Sequence, residues 1–599
     1  MSLSPLVEKS LSWQALRPTL QLTEMPTDTL NDFFALQPRA STAICQFLHN
    51  PHRDLLVLKA DEQGEYADLL TQFIRQKQPE KFTLAGVNYV IEQGDSFSFP
   101  KVYTQPAQSF EDNFANKQPV ASALYFDHFQ LLGAMRVHPS SQEIQLRAGL
   151  VHQLNQGVLI LSVASFISQF DLWLRLKQIL LTKTFNWYSA HPFKDLPCDI
   201  PSYPLSLKVI LLGSREELAM FSELEPDLYD LADYSEMESY TALTSLGQQQ
   251  KWAQYVQGLA VSQGLPQVDL AALNKLYQLL VRESEDRCFV SVSPLKLKTM
   301  LAGAAVVSGK SAQECLSAGD FEAFLQQQTE QQGFLQQQTY ADILHEQVYV
   351  ATEGEIVGQI NGLSVIEYPG TPMSFGEPSR ISCVVKFGDG EVIDVERKNE
   401  LAGNIHGKGM MIAESCLANL LAFPSQLPFS ASLVFEQSYG EIDGDSASLA
   451  SFCVLTSALA DVPLPQSIAI TGTIDQFGLV HSVGGVNAKI EGFFSICASR
   501  GLTGQQGVII PSTVIHQLSL SEVVVSAVEK GEFFIFPVED VHQACEILFQ
   551  RPLLENENDI SNPLQASQAL SRLITYRIEQ RSEPQLSKGG WFEWVFRRK

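Results

Sequence analysis

Positive charge is scarce in this chain. Its 599 residues carry 41 lysines and arginines against 67 aspartates and glutamates, a formal net charge of −26. Binding to nucleic acid or to anionic lipid needs cationic surface that displaces counterions, so neither a nucleic-acid nor a membrane partner is expected. Paired cysteines are missing too. The nine cysteines (45, 198, 288, 315, 383, 416, 453, 497 and 545) are scattered, odd in number and without a Cys-x-x-Cys pair, which argues against a disulfide framework or a structural zinc site. Long apolar runs are absent as well. The strongest, Val158 to Ile167, is too short to cross a bilayer and is soon followed by Gln169 and Asp171. The first residues show no basic start leading into an apolar core, so no signal peptide is read and a cytoplasmic protein is expected.

Hydrophobic residues make up 45% of the chain and charged residues 18%, an ordinary globular composition, and the length calls for several domains. Leu55 to Leu58, Val158 to Leu161 and Val209 to Leu212 read as buried strands separated by helices, an α/β domain with a mostly parallel sheet. Residues 215 to about 340 read as helical, with Leu270, Leu273, Leu276, Leu279 and Leu280 at helical spacing. Within them Leu-Gln-Gln-Gln-Thr occurs at 325 and again at 335, a polar helical connector. Strands return at Ser382–Val385, Val392–Val395, Ser432–Phe435 and Ser467–Ile470, with helices over 446–460 and 487–499. The tail closes on the aromatic and basic stretch Trp591 to Lys599.

Two glycine-marked turns carry the chemistry. Ser446 lies in Gly444-Asp445-Ser446-Ala447-Ser448, and Lys489 lies in Gly484-Gly485-Val486-Asn487-Ala488-Lys489. A serine hydroxyl attacks a carbonyl only when a base takes its proton. A lysine serves as that base if burial or the positive end of a helix disfavours its ammonium. Lys489 falls in the first turn of a helix whose Ile490, Phe493, Phe494 and Cys497 form an apolar face. Backbone N–H groups in the serine turn can hold an oxyanion. On the residues alone a helix-capping serine and a solvated lysine are the commoner readings, and spacing does not lift the pair above them.

Competing sites are weaker. His345-Glu346 begins like a zinc-peptidase helix, but position 349 is tyrosine where the second histidine would stand. His481 reads as a polar loop histidine, and Cys453, mid-helix on an apolar face, reads as packing. Gly309-Lys310-Ser311 lacks the earlier glycine of a phosphate loop and follows a helical run.

Gly444 to Ser448, Ala469-Ile470-Thr471-Gly472 and Val483 to Lys489 resemble, in order and spacing, the proteolytic domain of the Lon proteases. The aspartate before the serine is similar to the archaeal B-type branch. The likeness extends upstream through Gly358 to Val365 and Ile405-His406-Gly407-Lys408-Gly409, about 200 residues in all. The resemblance implies Ser446 as nucleophile, Lys489 as general base and Thr471 as the hydroxyl beside the lysine amine, with Asp445 orienting the pair. A carboxylate very near Lys489 would raise its pKa and oppose its role as base.

The N-terminal half resembles in outline the AAA+ module of that family, through Gln130 to Ala134, Ala148 to Leu161 and Leu207 to Asp230. ATP and Mg²⁺ are implied by the family, but the Walker-type motifs are degenerate and no cofactor or metal is evident. After the first strand stand Asp61, Glu62 and Glu65 with a single glycine, Gly64, and the second strand ends in Ser162-Val163-Ala164 where acids would hold Mg²⁺. The expected architecture is multidomain α/β: a degenerate AAA+-like α/β domain (1–214), a helical lid and connector (215–345), an α+β Lon-type Ser–Lys peptidase domain (346–550) and a C-terminal tail (551–599). The expected activity is hydrolysis of unfolded or damaged proteins by a homo-oligomeric ring, a hexamer by resemblance, whose ATP dependence the residues do not support. A non-catalytic chaperone-like ring and a fully ATP-driven unfoldase-protease are the two alternatives.

Overall fold

The structure, a computed structural model, describes residues 8–30, 32–61, 63–78, 83–94, 99–138, 140–141, 143–189, 195–424, 426–438, 440–555 and 569–582. The closing stretch Trp591–Lys599 and the acidic Glu62 lie outside them. The chain forms two compact units, one from residues 21–270 and 289–316, the other from 1–20, 271–288 and 317–599.

The first unit is built on five parallel strands: β1 (Leu55–Lys59), β2 (Val120–Ala123), β3 (Val158–Ser162), β4 (Lys208–Gly213) and β5 (Asp233–Glu236). They lie in the order β5-β1-β4-β3-β2. β1 and β3 are buried at every position, which is why they read as unbroken Leu, Val and Ile runs: a parallel sheet is covered on both faces. Helices α1 (Gln63–Lys77), α2 (Phe170–Thr182), α3 (Arg215–Leu224) and α4 (Leu246–Ser262) belong to this unit. β5 comes from beyond residue 214, inside the stretch read as helical. Its sequence, Asp-Tyr-Ser-Glu, sits at the sheet edge with one buried residue, so it carries no apolar run to announce it.

Helix α5 (Leu270–Ser284) carries the chain into the second unit, and α6 (Pro294–Ser308) belongs again to the first. Gly309 ends α6 in the left-handed conformation and the Lys310 amine donates to the Cys315 carbonyl, so Gly309-Lys310-Ser311 is a helix stop. The glutamine-rich repeats fall on α7 (Ala318–Gln332) and α8 (Phe334–Leu344), broken at Gly333, and His345 caps the end of α8.

The second unit holds a seven-stranded sheet of β6 (Gln359–Glu367), β7 (Ser374–Gly390), β8 (Val392–Asp394), β9 (Leu427–Phe435), β10 (Ile468–Ile470), β11 (Gln506–Pro511) and β12 (Phe533–Val538). The order is β8-β9-β7-β6-β10-β11-β12. β6, β7 and β9 pair antiparallel, while β6, β10, β11 and β12 run parallel, a mixed α+β sheet. Alternation along the parallel strands feeds two cores. Ile468, Ile470, Ile509, Phe534 and Phe536 pack with helix α10 (Ser448–Ala460). Ala469, Val508, Ile510, Phe533 and Ile535 pack with α11 (Val486–Arg500). The period of two sends neighbouring side chains to opposite faces, so α10 and α11 lie on opposite sides of the sheet.

Candidate active site

That arrangement decides where the serine and lysine turns can meet. Each stands at the start of a helix, on opposite faces of the sheet, and β10 runs between them. The residue that follows β10 is Thr471.

Ser446 occupies a turn two residues before α10, and the hydroxyl of Ser448 accepts the Ile474 N–H at 3.0 Å. Gly444 has φ +101°, a backbone conformation open to glycine, which lets the loop fold back into the turn. Upstream, the Asp443 carboxylate accepts the N–H of His406 at 3.2 Å, on helix α9 (Asn404–Leu420). The N–H groups of Gly444 and His406 hold that carboxyl below the usual range.

Thr471 binds both sides. Its N–H bonds the Ile509 carbonyl on β11 at 3.1 Å, and its hydroxyl lies 3.4 Å from the Ser446 carbonyl, to which Gly472 N–H also donates at 2.9 Å. In the return direction Leu449 N–H bonds the Gly472 carbonyl at 3.1 Å. The exit of β10 is therefore stitched to the start of α10.

Lys489 is the fourth residue of α11 and is only 4% exposed. Its Nζ lies 3.1 Å from Ser446 Oγ and 3.3 Å from Thr471 Oγ1. Backbones must touch to bring it there. A Cβ on Gly376 of β7 would sit 2.0 Å from the Ala488 carbonyl oxygen, and one on Gly492 would sit 2.2 Å from the Gly376 carbonyl oxygen. Glycine at both positions lets α11 lie directly on β7. The start of α11 is fixed by the Asn487 amide, which donates to Gln517 O at 2.9 Å and accepts Ser519 N–H at 2.7 Å.

Burial lowers the Lys489 pKa from 10.5 to about 8, and the carboxylates of Glu285 and Asp445 pull it back upward. A neutral amine is thus within reach near physiological pH. Asp445 does not bond the lysine. Its Oδ1 accepts the Thr473 hydroxyl at 3.0 Å, and it acts on Lys489 only through its field.

A cleft of about 630 Å³ opens over the pair, lined by Ser446, Lys489, Val365 and Glu367 of β6, Asp443 and Glu285. Sequence reasoning missed Glu285. It follows the end of α5 inside the charged run Arg282-Glu283-Ser284-Glu285-Asp286-Arg287, which looks like a solvated helix end, 204 residues from Lys489. Nothing local to that run points to the cleft.

The competing groups stand apart from this chemistry. His481 is half exposed and lies 3.3 Å from Asp475, and Cys453, on α10, is fully buried in the core. Among the described residues no cluster of His, Cys, Asp or Glu could hold a metal ion, and no helix is long and apolar enough to cross a membrane.

In the first unit residues 60–62 link β1 to α1. The Lys59 amine there is tied to Asp61 at 3.1 Å and Glu238 at 3.3 Å, and Ser239 donates to Asp61 at 3.1 Å. At the end of β3, Ser162 caps the next helix turn by accepting Ala164 N–H at 3.2 Å.

A parallel α/β unit and a mixed-sheet unit that sets a serine beside a lysine define a two-module α/β protein. Comparisons with known proteins agree. Residues 116–233 match the LonB-like AAA domain family, and 440–551 match the Lon protease (S16) C-terminal proteolytic domain. The first match begins downstream of β1. A protein of Haemophilus influenzae named "Putative Lon protease homolog" is 66% identical over 577 residues, covering 96% of this chain and 95% of its own. One of the same name from Escherichia coli is 42% identical over 553 residues, 90% of this chain and 91% of its own. The "Archaeal Lon protease" of Thermoplasma acidophilum is 29% identical over 229 residues, 37% of this chain and 32% of its own. The chain belongs to the Lon protease family.

Proposed function

We propose that this protein is a serine endopeptidase in which Ser446 is the nucleophile and Lys489 the general base. The observation that carries the reading is the 3.1 Å approach of Nζ to Oγ, with the amine buried and its pKa near 8. The neutral amine takes the Ser446 proton as Oγ attacks the scissile carbonyl. The backbone N–H groups of the serine turn are assigned to the oxyanion. The resulting ammonium protonates the leaving amine, and an acyl-enzyme remains on Ser446. Lys489 then deprotonates water, which releases the acid product. Thr471 accepts one amine N–H, which leaves the amine lone pair for Ser446. Asp445 holds its own turn through Thr473 and biases Lys489 toward the ammonium.

Substrates are unfolded or damaged proteins, and the working form is a cytoplasmic homo-oligomeric ring, a hexamer by resemblance to the family. In this reading no nucleotide drives it, supported by Lys59 being engaged by Asp61 and Glu238 and by the acidic residues in the sequence after β1. The test is hydrolysis of an unfolded casein-type substrate by wild type and Ser446→Ala, with and without Mg-ATP. Turnover that is lost in the variant and indifferent to ATP is expected. No turnover in either would leave a chaperone-like ring, and ATP-stimulated breakdown of a stable tagged domain would restore the energy-driven reading.

A further inference from the structure

Two tethers run from the end of α5 to the helix that carries the base. The Arg282 guanidinium makes a bidentate pair with Glu491, one bond at 2.7 Å, one turn beyond the start of α11. Three residues on, the Glu285 carboxylate accepts the N–H of Gly485 at 2.7 Å, at the cap of the same helix. Glu285 itself is held in the left-handed conformation, with φ 52°, and the chain after it is pinned where Arg287 donates to the Leu518 carbonyl at 2.9 Å. A glutamate at positive φ, anchored on both sides and aimed at a helix N-terminus, is placed rather than solvated.

Resting on the serine–lysine reading above, we propose that Glu285 is a positioning residue for Lys489. Its carboxylate fixes the first turn of α11 through Gly485 and places its charge in the cleft that Lys489 also lines. The groups around Lys489 make that charge matter. Asp445 on the serine turn also faces it electrostatically, while Glu283, Glu367, Asp443 and Arg282 line the same cleft, Arg282 being occupied by Glu491. β7, packed on α11, brings Glu377, whose carboxyl burial holds above its usual range. Glu285 therefore counters burial, together with Asp445, and shares in setting the pH at which the amine becomes a base.

The experiment is the pH profile of kcat/KM for a fluorogenic peptide, measured on the full chain for wild type, Glu285→Gln and Glu285→Asp. In parallel, Lys489 acylation by an amine-reactive reagent is followed by mass spectrometry against pH. Gln keeps an oxygen for Gly485 N–H and removes the charge, so both midpoints should fall by about half to one pH unit. Asp keeps the charge and should hold both midpoints near wild type while lowering kcat, because the shorter side chain reaches Gly485 less well. Overlaying profiles for Glu285→Gln and wild type, or lost activity with an unmoved labelling midpoint, overturns the proposal. The labelling midpoint needs no turnover, so it distinguishes failure of this proposal from failure of the peptidase reading, which Ser446→Ala reports.

Discussion

Replacing Lys489 with methionine should make the protein more stable while abolishing turnover. The amine is 4% exposed, and burial brings its pKa from 10.5 to about 8. The unfolded chain therefore binds more protons than the folded one between about pH 8 and 10.5, and wild-type stability should rise with pH across that window. Below about pH 8 both states are protonated and the full cost of burying the ammonium applies. At about 1.36 kcal/mol per pKa unit that cost is roughly 3 kcal/mol at pH 7. It falls to about 2 kcal/mol at pH 9 and below about 1 kcal/mol at pH 10.5. Methionine fills similar volume and carries no charge, so Lys489→Met should be the more stable by an amount that shrinks along this curve. Denaturant melts of both proteins from pH 6.5 to 10.5 supply the difference, in which the titrating groups not coupled to Lys489 cancel. A difference that stays flat with pH, or a variant less stable than wild type at pH 7, would refute the reasoning.

Other outcomes follow from the same geometry. Thr471→Val removes the hydroxyl between the amine and the Ser446 carbonyl and should lower kcat roughly ten- to a hundredfold, with KM and melting temperature little changed. Gly492→Ala puts a methyl against the Gly376 carbonyl, 2.2 Å from its Cβ. It should cost at least about 1–3 kcal/mol by overpacking, read in denaturant melts. The kcat/KM profile of wild type should rise through a midpoint near pH 8, because the base must be neutral. A calorimetric titration with Mg-ATP should show no saturable heat, given the engaged Lys59.

Much of this was legible in the sequence. Ser446 and Lys489 stand in glycine-marked turns that only suggest chemistry; the resemblance to the Lon proteolytic domain picks them out together with Thr471, and the structure brings all three together. The helices read over 446–460 and 487–499 form over 448–460 and 486–500. What stayed hidden depends on distant partners. The tie from Asp445 goes to Thr473, a hydroxyl choice that no spacing encodes. Glu285 acts from a charged helix end that reads as solvent-facing until the fold lays it on α11. β5 is polar and at an edge, so it has neither apolar run nor alternation to betray it. The chain also interleaves its two units around residues 271–316, which a linear reading of domains in sequence order does not anticipate.

Ser446 as a nucleophile activated by Lys489 can be tested by trapping the acyl-enzyme. A reactive peptide ester mixed with the protein at pH 8.5 and quenched in acid should leave one acyl group on the peptide that contains Ser446, found by mass spectrometry. Ser446→Ala should carry none, and Lys489→Met should acylate at least about a hundredfold more slowly. Peptide hydrolysis without an adduct, or an adduct on Cys453 or elsewhere that survives in Ser446→Ala, would contradict the assignment.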